Sequence, residues 1–335
     1  MKIKHDNSIK NKSVLITGGT GSFGTAMTDK LINSKVKKII IYSRDEMKQW
    51  FLKERFKKYF NKIEYIIGDV RDREKVENVT RNIDYIIHAA ATKIVPTAER
   101  NPDECIKTNI LGAMNIINSA EQNKVKKVIA LSTDKASSPI NLYGATKLCS
   151  DKLFTAKSFN KSKTFFSVVR YGNVLGSRGS IIPFFLSIKE NILPITHLDM
   201  TRFFLSLDEA VNFVLFCFEK MKGGEIFVKK LPSVLITELA KIIKPKAKLK
   251  IIGLREGEKI HEQMIGVDDS PYTLEYKSHF EILPDLNLKK TIENQKNCKS
   301  VKKDFFYSSK NTEKINLIFL KKEIEKIKKK LSEES

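Results

Sequence analysis

Of nine tyrosines, Tyr143 is the one with a lysine, Lys147, four residues on. On a helix that interval brings phenol and ammonium to one face. An ammonium beside a phenol favours the phenolate, so the pair reads as a base for a hydroxyl proton. Shortly before it, Leu131-Ser-Thr-Asp-Lys-Ala136 lines up Thr133, Asp134 and Lys135. Thr133 is suited to hydrogen-bond a substrate hydroxyl beside Tyr143. Hydride transfer with one proton relay needs neither an added acid nor an added amine. Asp134 and Lys135 therefore point to an elimination, in which one group removes a C–H proton and the other protonates a leaving hydroxyl. The plainer alternative makes Asp134 a turn residue and Lys135 a surface lysine.

A second constellation lies near the N-terminus. The apolar run 14–17 passes straight into Gly18-Gly-Thr-Gly21-Ser22-Phe23-Gly24. Glycines at this spacing permit a tight turn, close backbone approach to a pyrophosphate and close helix–strand packing, while the next helix turns its free N–H groups to the phosphates. At the end of the second apolar run stand Ser43, Arg44, Asp45 and Lys48. Asp45 comes late for an acid holding a ribose 2′-hydroxyl, and Ser43, Arg44 and Lys48 suit a 2′-phosphate, which favours NADP. Asp69 and Val70 close the third run at the adenine edge. Ala89 and Ala90 close the fourth, their small side chains letting backbone touch the cofactor. Ser132 and Val174 complete the cofactor set.

These residues need elements to hold them. Runs rich in Ile and Val at 14–17, 38–43, 63–70, 84–90, 127–132 and 167–173 read as buried parallel strands, alternating with amphipathic stretches such as 105–122 and 143–159. That alternation predicts an α/β fold, a Rossmann-type doubly wound parallel sheet. Beyond residue 175 the rhythm changes. Helices at 207–221 and 236–243, strands at 225–229 and 250–254, and a helix from about Glu258 describe a smaller α+β C-terminal substrate lobe. The division is 1–175 for the dinucleotide-binding domain, 176–285 for the substrate lobe and 286–335 for a Lys-rich tail, with a surface helix over 321–331 and the lobes interleaved.

The chain has 335 residues and a formal net charge of +22, carried by 51 Lys and only 10 Arg spread along its length. Dispersed lysine reads as solvated surface that attracts an anionic substrate; it does not describe a specific nucleic-acid reader, which leans on Arg. A non-enzymatic NADP-sensing or nucleic-acid-binding module is the competing class, but it has no use for Tyr143, Lys147, Asp134 and Lys135. The four cysteines form no CxxC pair, so no metal site or disulfide framework is expected. Residues 1–12 are polar, and no apolar run approaches a membrane span, which leads to an expected cytoplasmic setting.

Taken together, the Gly18–Gly24 loop and Tyr143/Lys147 resemble the extended short-chain dehydrogenase/reductases that act on nucleotide sugars. Longer blocks bring the resemblance closer: Ser43-Arg-Asp-Glu, Glu104-Cys-Ile-Lys-Thr-Asn-Ile, Leu131-Ser-Thr-Asp-Lys-Ala, Asn141-Leu-Tyr-Gly-Ala-Thr-Lys, Val168-Val-Arg-Tyr-Gly-Asn-Val and Met200-Thr-Arg-Phe. Over roughly residues 10–270 the chain is similar to the inverting UDP-N-acetylglucosamine 4,6-dehydratases, whose product leads towards pseudaminic acid. The resemblance implies that Tyr143, helped by Lys147 and Thr133, takes the C4 hydroxyl proton. Lys135 then takes the C5 proton while Asp134 protonates the departing C6 hydroxyl. Retaining relatives typically carry Thr-Asp-Glu, so Lys135 argues for inversion. It further implies Lys93 at the cofactor–substrate boundary, and Asn173, Arg178, Gly179, Ser180, Thr201, Arg202, Arg255 and Glu258 as UDP-sugar contacts. NADP as cofactor and a homo-oligomer, a hexamer, are also implied. Use in an L-fucosamine-type pathway and, more remotely, a 4-epimerase remain alternatives.

Overall fold

The computed structural model describes residues 6–159, 162–294 and 298–334. Residues 1–5 of the polar N-terminal stretch and residues 295–297 and 335 of the tail fall outside it. Six strands occupy the first half: β1 (Ser13–Thr17), β2 (Lys38–Ser43), β3 (Ile63–Ile67), β4 (Tyr85–His88), β5 (Lys127–Thr133) and β6 (Phe165–Tyr171). Then follow β7 (Asn173–Val174), β8 (Ile192–Ile195), β9 (Thr201–Leu205), β10 (Ile226–Lys229), β11 (Ser233–Leu235) and β12 (Lys248–Ile251). The last are β13 (Gln263–Ile265), β14 (Thr273–Glu275), β15 (His279–Ile282), β16 (Lys299–Ser300) and β17 (Tyr307–Ser308).

The main sheet runs β16-β14-β15-β10-β6-β5-β4-β1-β2-β3. It is parallel from β3 through β10 and antiparallel beyond. Every residue of β1 and β4 is buried, as a strand covered on both faces requires. The chain builds outward from β1 to β3, then returns to place β4 on the other side of β1. This reversal opens a crevice at the carboxyl ends of β1 and β4, where doubly wound sheets bind ligands.

Beyond residue 175 the lobes share the chain in alternation. β10 and β14–β16 return to the main sheet, while β7, β9 and β11 form a separate small sheet and β8 pairs with β12. A second core unites Ile182, Phe185, Leu193, Phe204, Leu239 and Ile243 with Ile315, Leu320 and Ile324 from the C-terminal segment. The Lys-rich tail is thus built into this second core. Its helix Leu317–Glu334 buries Leu320 and Ile324 and turns charge outward; β17 pairs with β13.

One expected element is absent. No helix starts at Glu258, and the chain runs irregularly to β13. Gly257 takes a left-handed φ of +69° with its ideal Cβ 2.8 Å from the Asn141 Cβ, and its carbonyl accepts from Asn141 Nδ2 at 2.8 Å. Thr201 and His261 then form an isolated parallel bridge. A helix would break both ties.

Candidate active site

A cleft of about 1340 Å³ lies along the crevice and runs between the lobes. Gly18, Thr20, Gly21, Ser22, Phe23 and Gly24 line its floor. Gly18 sits at φ +64°, and an added Cβ would meet Ala90 backbone atoms at 2.9 Å, so β1 and β4 close tightly only around a glycine. Thr17 seals the junction from below: its Oγ1 accepts from the N–H groups of Ala89 and Ala90 at 3.2 and 3.3 Å. The same hydroxyl lies 2.8 Å from Nδ1 of buried His88. Burial, with the nearby charge of Lys147, pushes His88 down to about 3, so the ring is neutral. Gly21 precedes the helix Ser22–Ile32, whose first turn has no side-chain cap and keeps its N–H groups turned to the cleft.

At the β2 end, Asp45 caps the helix Glu46–Arg55 by accepting from Lys48 N–H at 2.9 Å and also pairs with the Lys48 ammonium. Arg44 is exposed and lies 3.6 Å from Asp69. Burial pushes Asp69 up, but Arg71, 2.8 Å away through Nε, outweighs it and holds the carboxylate low. Ser43 is pinned by Gln49, whose Nε2 donates to its carbonyl and hydroxyl. Val70, Ala89, Ala90 and Val174 line the same stretch. These cradles, small side chains and helix N–H groups fit a nicotinamide dinucleotide.

The chemistry-bearing residues converge where β5 ends. Asp134 is 1% exposed. Its Oδ1 accepts from Thr133 Oγ1 and from Lys135 Nζ, each at 3.0 Å. Tyr143 and Lys147 arrive on the helix Leu142–Thr155. Gly144 is what brings that helix close, since a Cβ there would lie 2.2 Å from the Lys135 carbonyl oxygen. Ser132 donates from Oγ to Asp151 at 2.8 Å, and Asp151 also accepts from buried Arg170 at 3.0 Å.

The electrostatics differ from the simple helix-pair expectation. Burial pushes Tyr143 up to about 12, and the charge that draws it back is that of Lys135, with a hydrogen bond from Thr133. Lys147 is itself lowered by burial, with Asp151 opposing. Asp134 is raised, by burial first and by Glu262, against the pull of Lys135. Burial works to lower Lys135, yet Asp134 and Glu262 outweigh it and the ammonium is raised.

Among the expected substrate contacts, Lys93, Asn173, Arg178, Gly179, Ser180, Arg202, Arg255 and Glu258 all line the cleft. Arg178 reaches over the glycine loop: its guanidinium donates to the Thr20 carbonyl and its N–H to Ser22 Oγ at 3.1 Å. Lys93 Nζ donates to the Arg178 carbonyl at 3.2 Å. Thr201 is the correction. Side chains alternate along β9, so Arg202 faces the cleft and Thr201 faces away, bonded to His261 at 2.8 Å and Ser309 at 2.7 Å. Glu262 belongs to no motif in the sequence, yet it lies 2.9 Å from Lys135 Nζ in the cleft wall. Among the described residues, no group of three or more His, Cys, Asp or Glu is placed to hold a metal ion. No helix of these residues is long and apolar enough to cross a membrane.

Residues 14–284 match the family described as polysaccharide biosynthesis protein. An inverting UDP-N-acetylglucosamine 4,6-dehydratase of Campylobacter jejuni subsp. jejuni (serotype O:23/36, strain 81-176) is 55% identical over 285 residues, 83% of this chain and 84% of that protein. A UDP-glucose 4-epimerase of Rickettsia bellii (strain OSU 85-389) is 43% identical over 325 residues, 92% of this chain and 93% of that protein. Among solved structures, Pen from Bacillus thuringiensis matches with TM-score 0.85 and 37% identity, covering 93% of this chain and 96% of that one. On sequence, fold and site together, the chain belongs to the polysaccharide biosynthesis protein family of extended short-chain dehydrogenase/reductases, alongside inverting UDP-N-acetylglucosamine 4,6-dehydratases.

Proposed function

We propose that the chain is an NADP-dependent UDP-N-acetylglucosamine 4,6-dehydratase that inverts C5, a hydro-lyase. The observation that carries this reading is buried Asp134 paired with partly buried Lys135 at 3.0 Å, at the β5 end in one cleft with Tyr143. A 4-epimerase has no step for either residue. Gly18, Gly21 and Gly24 with the helix Ser22–Ile32 would hold the pyrophosphate, and Arg44 and Lys48 the 2′-phosphate. Asp45 is committed to its helix cap, which supports NADP over NAD. The dinucleotide supplies the oxidant at C4 and the reductant at C6.

The protein's own residues move the protons. Tyr143, which burial raises and Lys135 and Thr133 partly draw back, takes the C4 hydroxyl proton. The C4 ketone acidifies C5–H, and Lys135, whose ammonium Asp134 and Glu262 favour at rest, takes that proton once it has given up its own. Burial raises Asp134 against the pull of Lys135, which suits it to give a proton to the C6 hydroxyl as it leaves. Arg202 and Arg255 serve the diphosphate, and Glu258 accepts from ribose hydroxyls.

Incubation with UDP-N-acetylglucosamine in D₂O tests the reading by NMR. A C6 methyl group with deuterium at C5 is the expected product; a C4 epimer alone would establish the epimerase reading carried by the Rickettsia relatives. Titration with NADP and NAD by fluorescence is expected to favour NADP, and Arg44→Ala to remove the preference. The reading carries a homo-oligomer with it, supported by Met47, Trp50 and Phe51, which stand more than half exposed on the helix Glu46–Arg55. Sedimentation velocity is expected to give a hexamer. A place early in a pseudaminic-acid-type pathway follows from the same product.

A further inference from the structure

Five charged side chains alternate in sign along the cleft wall: Asp134, Lys135, Glu262, Arg202 and Glu258. Lys135 Nζ lies 3.0 Å from Asp134 Oδ1 and 2.9 Å from Glu262 Oε1. Arg202 Nε faces the same Glu262 oxygen at 3.7 Å, and Arg202 Nη2 lies 3.6 Å from Glu258. Glu262 is held from behind by backbone: its N–H donates to Ser309 Oγ at 3.0 Å, and its carbonyl accepts from Ser309 N–H at 2.8 Å. Glu262 is 1% exposed, and its buried Oε2 has no hydrogen-bond partner among the described residues. A buried carboxylate oxygen left unpaired is costly unless the arrangement has a use for the charge.

We infer that Glu262 is a positioning residue for the C5 step: it aims Lys135 Nζ at the hexose and supplies the counter-charge for the ammonium that forms there. The inference rests on the dehydratase reading above. In that step the amine lone pair takes the C5 proton and a new N–H bond forms. The C5–H electron pair moves to the C4–C5 bond as the C4 carbonyl becomes an enolate. The enolate then re-forms the ketone and expels the C6 hydroxyl, which takes the Asp134 proton and leaves as water. Asp134 enters this sequence protonated and neutral, so it does not balance the charge that appears on Lys135. Glu262 does, because Arg202 on its other side keeps it ionised; burial raises it, but Lys135 and Arg202 outweigh burial and hold it low. When both transfers are complete, an Asp134 carboxylate and a Lys135 ammonium are left 3.0 Å apart.

The pH dependence of the step is set by every charged group that faces Lys135. These are Asp134 beside it, Glu262 ahead of β13, Arg202 on β9, Tyr143 on the helix Leu142–Thr155, and Lys259, whose Nζ donates to the Ser137 carbonyl at 2.8 Å. Removing the Glu262 charge destabilises the ammonium, so Lys135 loses its proton at lower pH and is a weaker base once free.

The test is Glu262→Gln in the full-length protein loaded with NADP, given UDP-N-acetylglucosamine in D₂O. Nicotinamide absorbance reports C4 oxidation, and NMR reports deuterium at C5 and the C6 methyl. The expected result is a cofactor-reduction phase that persists, with C5 exchange and water loss slowed on the order of 100-fold, as for loss of general-base assistance. The acidic limb of the C5 exchange rate is expected to move to lower pH. Unchanged C5 exchange, or equal loss of C4 oxidation and C5 exchange in a folded protein, overturns the inference. Should the glutamine variant fail to fold, Glu262→Asp keeps the charge and withdraws it by one methylene. Selective slowing of C5 exchange in that variant supports the inference, and unaltered exchange overturns it. Wild-type protein that forms no C6 methyl refutes the dehydratase reading itself, and the inference with it.

Discussion

Burial and charge act against each other at Asp134. A carboxyl 1% exposed is driven towards its neutral form, while an ammonium 3.0 Å away stabilises the anion. Burial is the larger influence and raises the carboxyl, which suits Asp134 to the acid's part beside Lys135. Asp134→Asn is therefore expected to keep C4 oxidation and to slow water loss about 100-fold or more, measured as reduced nicotinamide accumulating without a C6 methyl. Lys135→Glu is expected to spare NADP binding while abolishing turnover or changing the C5 outcome; full inverting activity in that variant would remove Lys135 from the C5 step. His88 gives a stability prediction whose sign follows from its depressed value of about 3. Below pH 6.5 the unfolded chain takes up a proton that the folded chain refuses. Stability is expected to fall from pH 6.5 towards pH 3, by up to about 1.4 kcal/mol per pH unit. His88→Gln is expected to flatten that slope in denaturant titrations.

At the scale of elements, the helix Leu142–Thr155 is the part that turns a strand end into an active site. Asn141 ties it at both ends of its amide: Oδ1 accepts from Gly144 N–H and Nδ2 donates to the Gly257 carbonyl, each at 2.8 Å. Asn141 thus links the helix Leu142–Thr155 to the loop at Gly257. Gly144→Ala would press a Cβ into the Lys135 carbonyl. It is expected to lower stability by about 1–3 kcal/mol and to displace Lys135, read by thermal melting and by C5 exchange. This scale also explains what the sequence disclosed. The glycine loop and Tyr143/Lys147 were legible because their chemistry lies within one turn or one helical repeat. Arg202 against Thr201 was not, because the parity of a strand is invisible without knowing which face it buries. Glu262 was invisible for a different reason: it meets Lys135 only through the fold, across more than a hundred residues. The helix expected at Glu258 failed because those carboxylates are turned into the cleft and because Gly257 bends the chain.

For the whole molecule, the glycine-lined floor of the cleft belongs to the main sheet, and the wall carrying Arg202, Arg255 and Glu258 comes from the second lobe. The second lobe's core is completed by the final helix, with Leu320 and Ile324 at 0% and 1% exposure. Ending the chain after residue 316 removes these two side chains, each contributing about 1.5–3 kcal/mol by burial. The shortened protein is expected to retain NADP affinity and to lose affinity for UDP-sugar, measured by two separate calorimetric titrations. Equal loss of both would show that the two lobes stand or fall as one.

That dependence on the last helix has a consequence for synthesis. Strands β1–β6 emerge from the ribosome as a contiguous set, whereas the helix Leu317–Glu334, which finishes the second lobe's core, is translated well after them. On the proposed reading, the glycine loop that would grip a coenzyme is made long before the lobe that would seat the sugar can close.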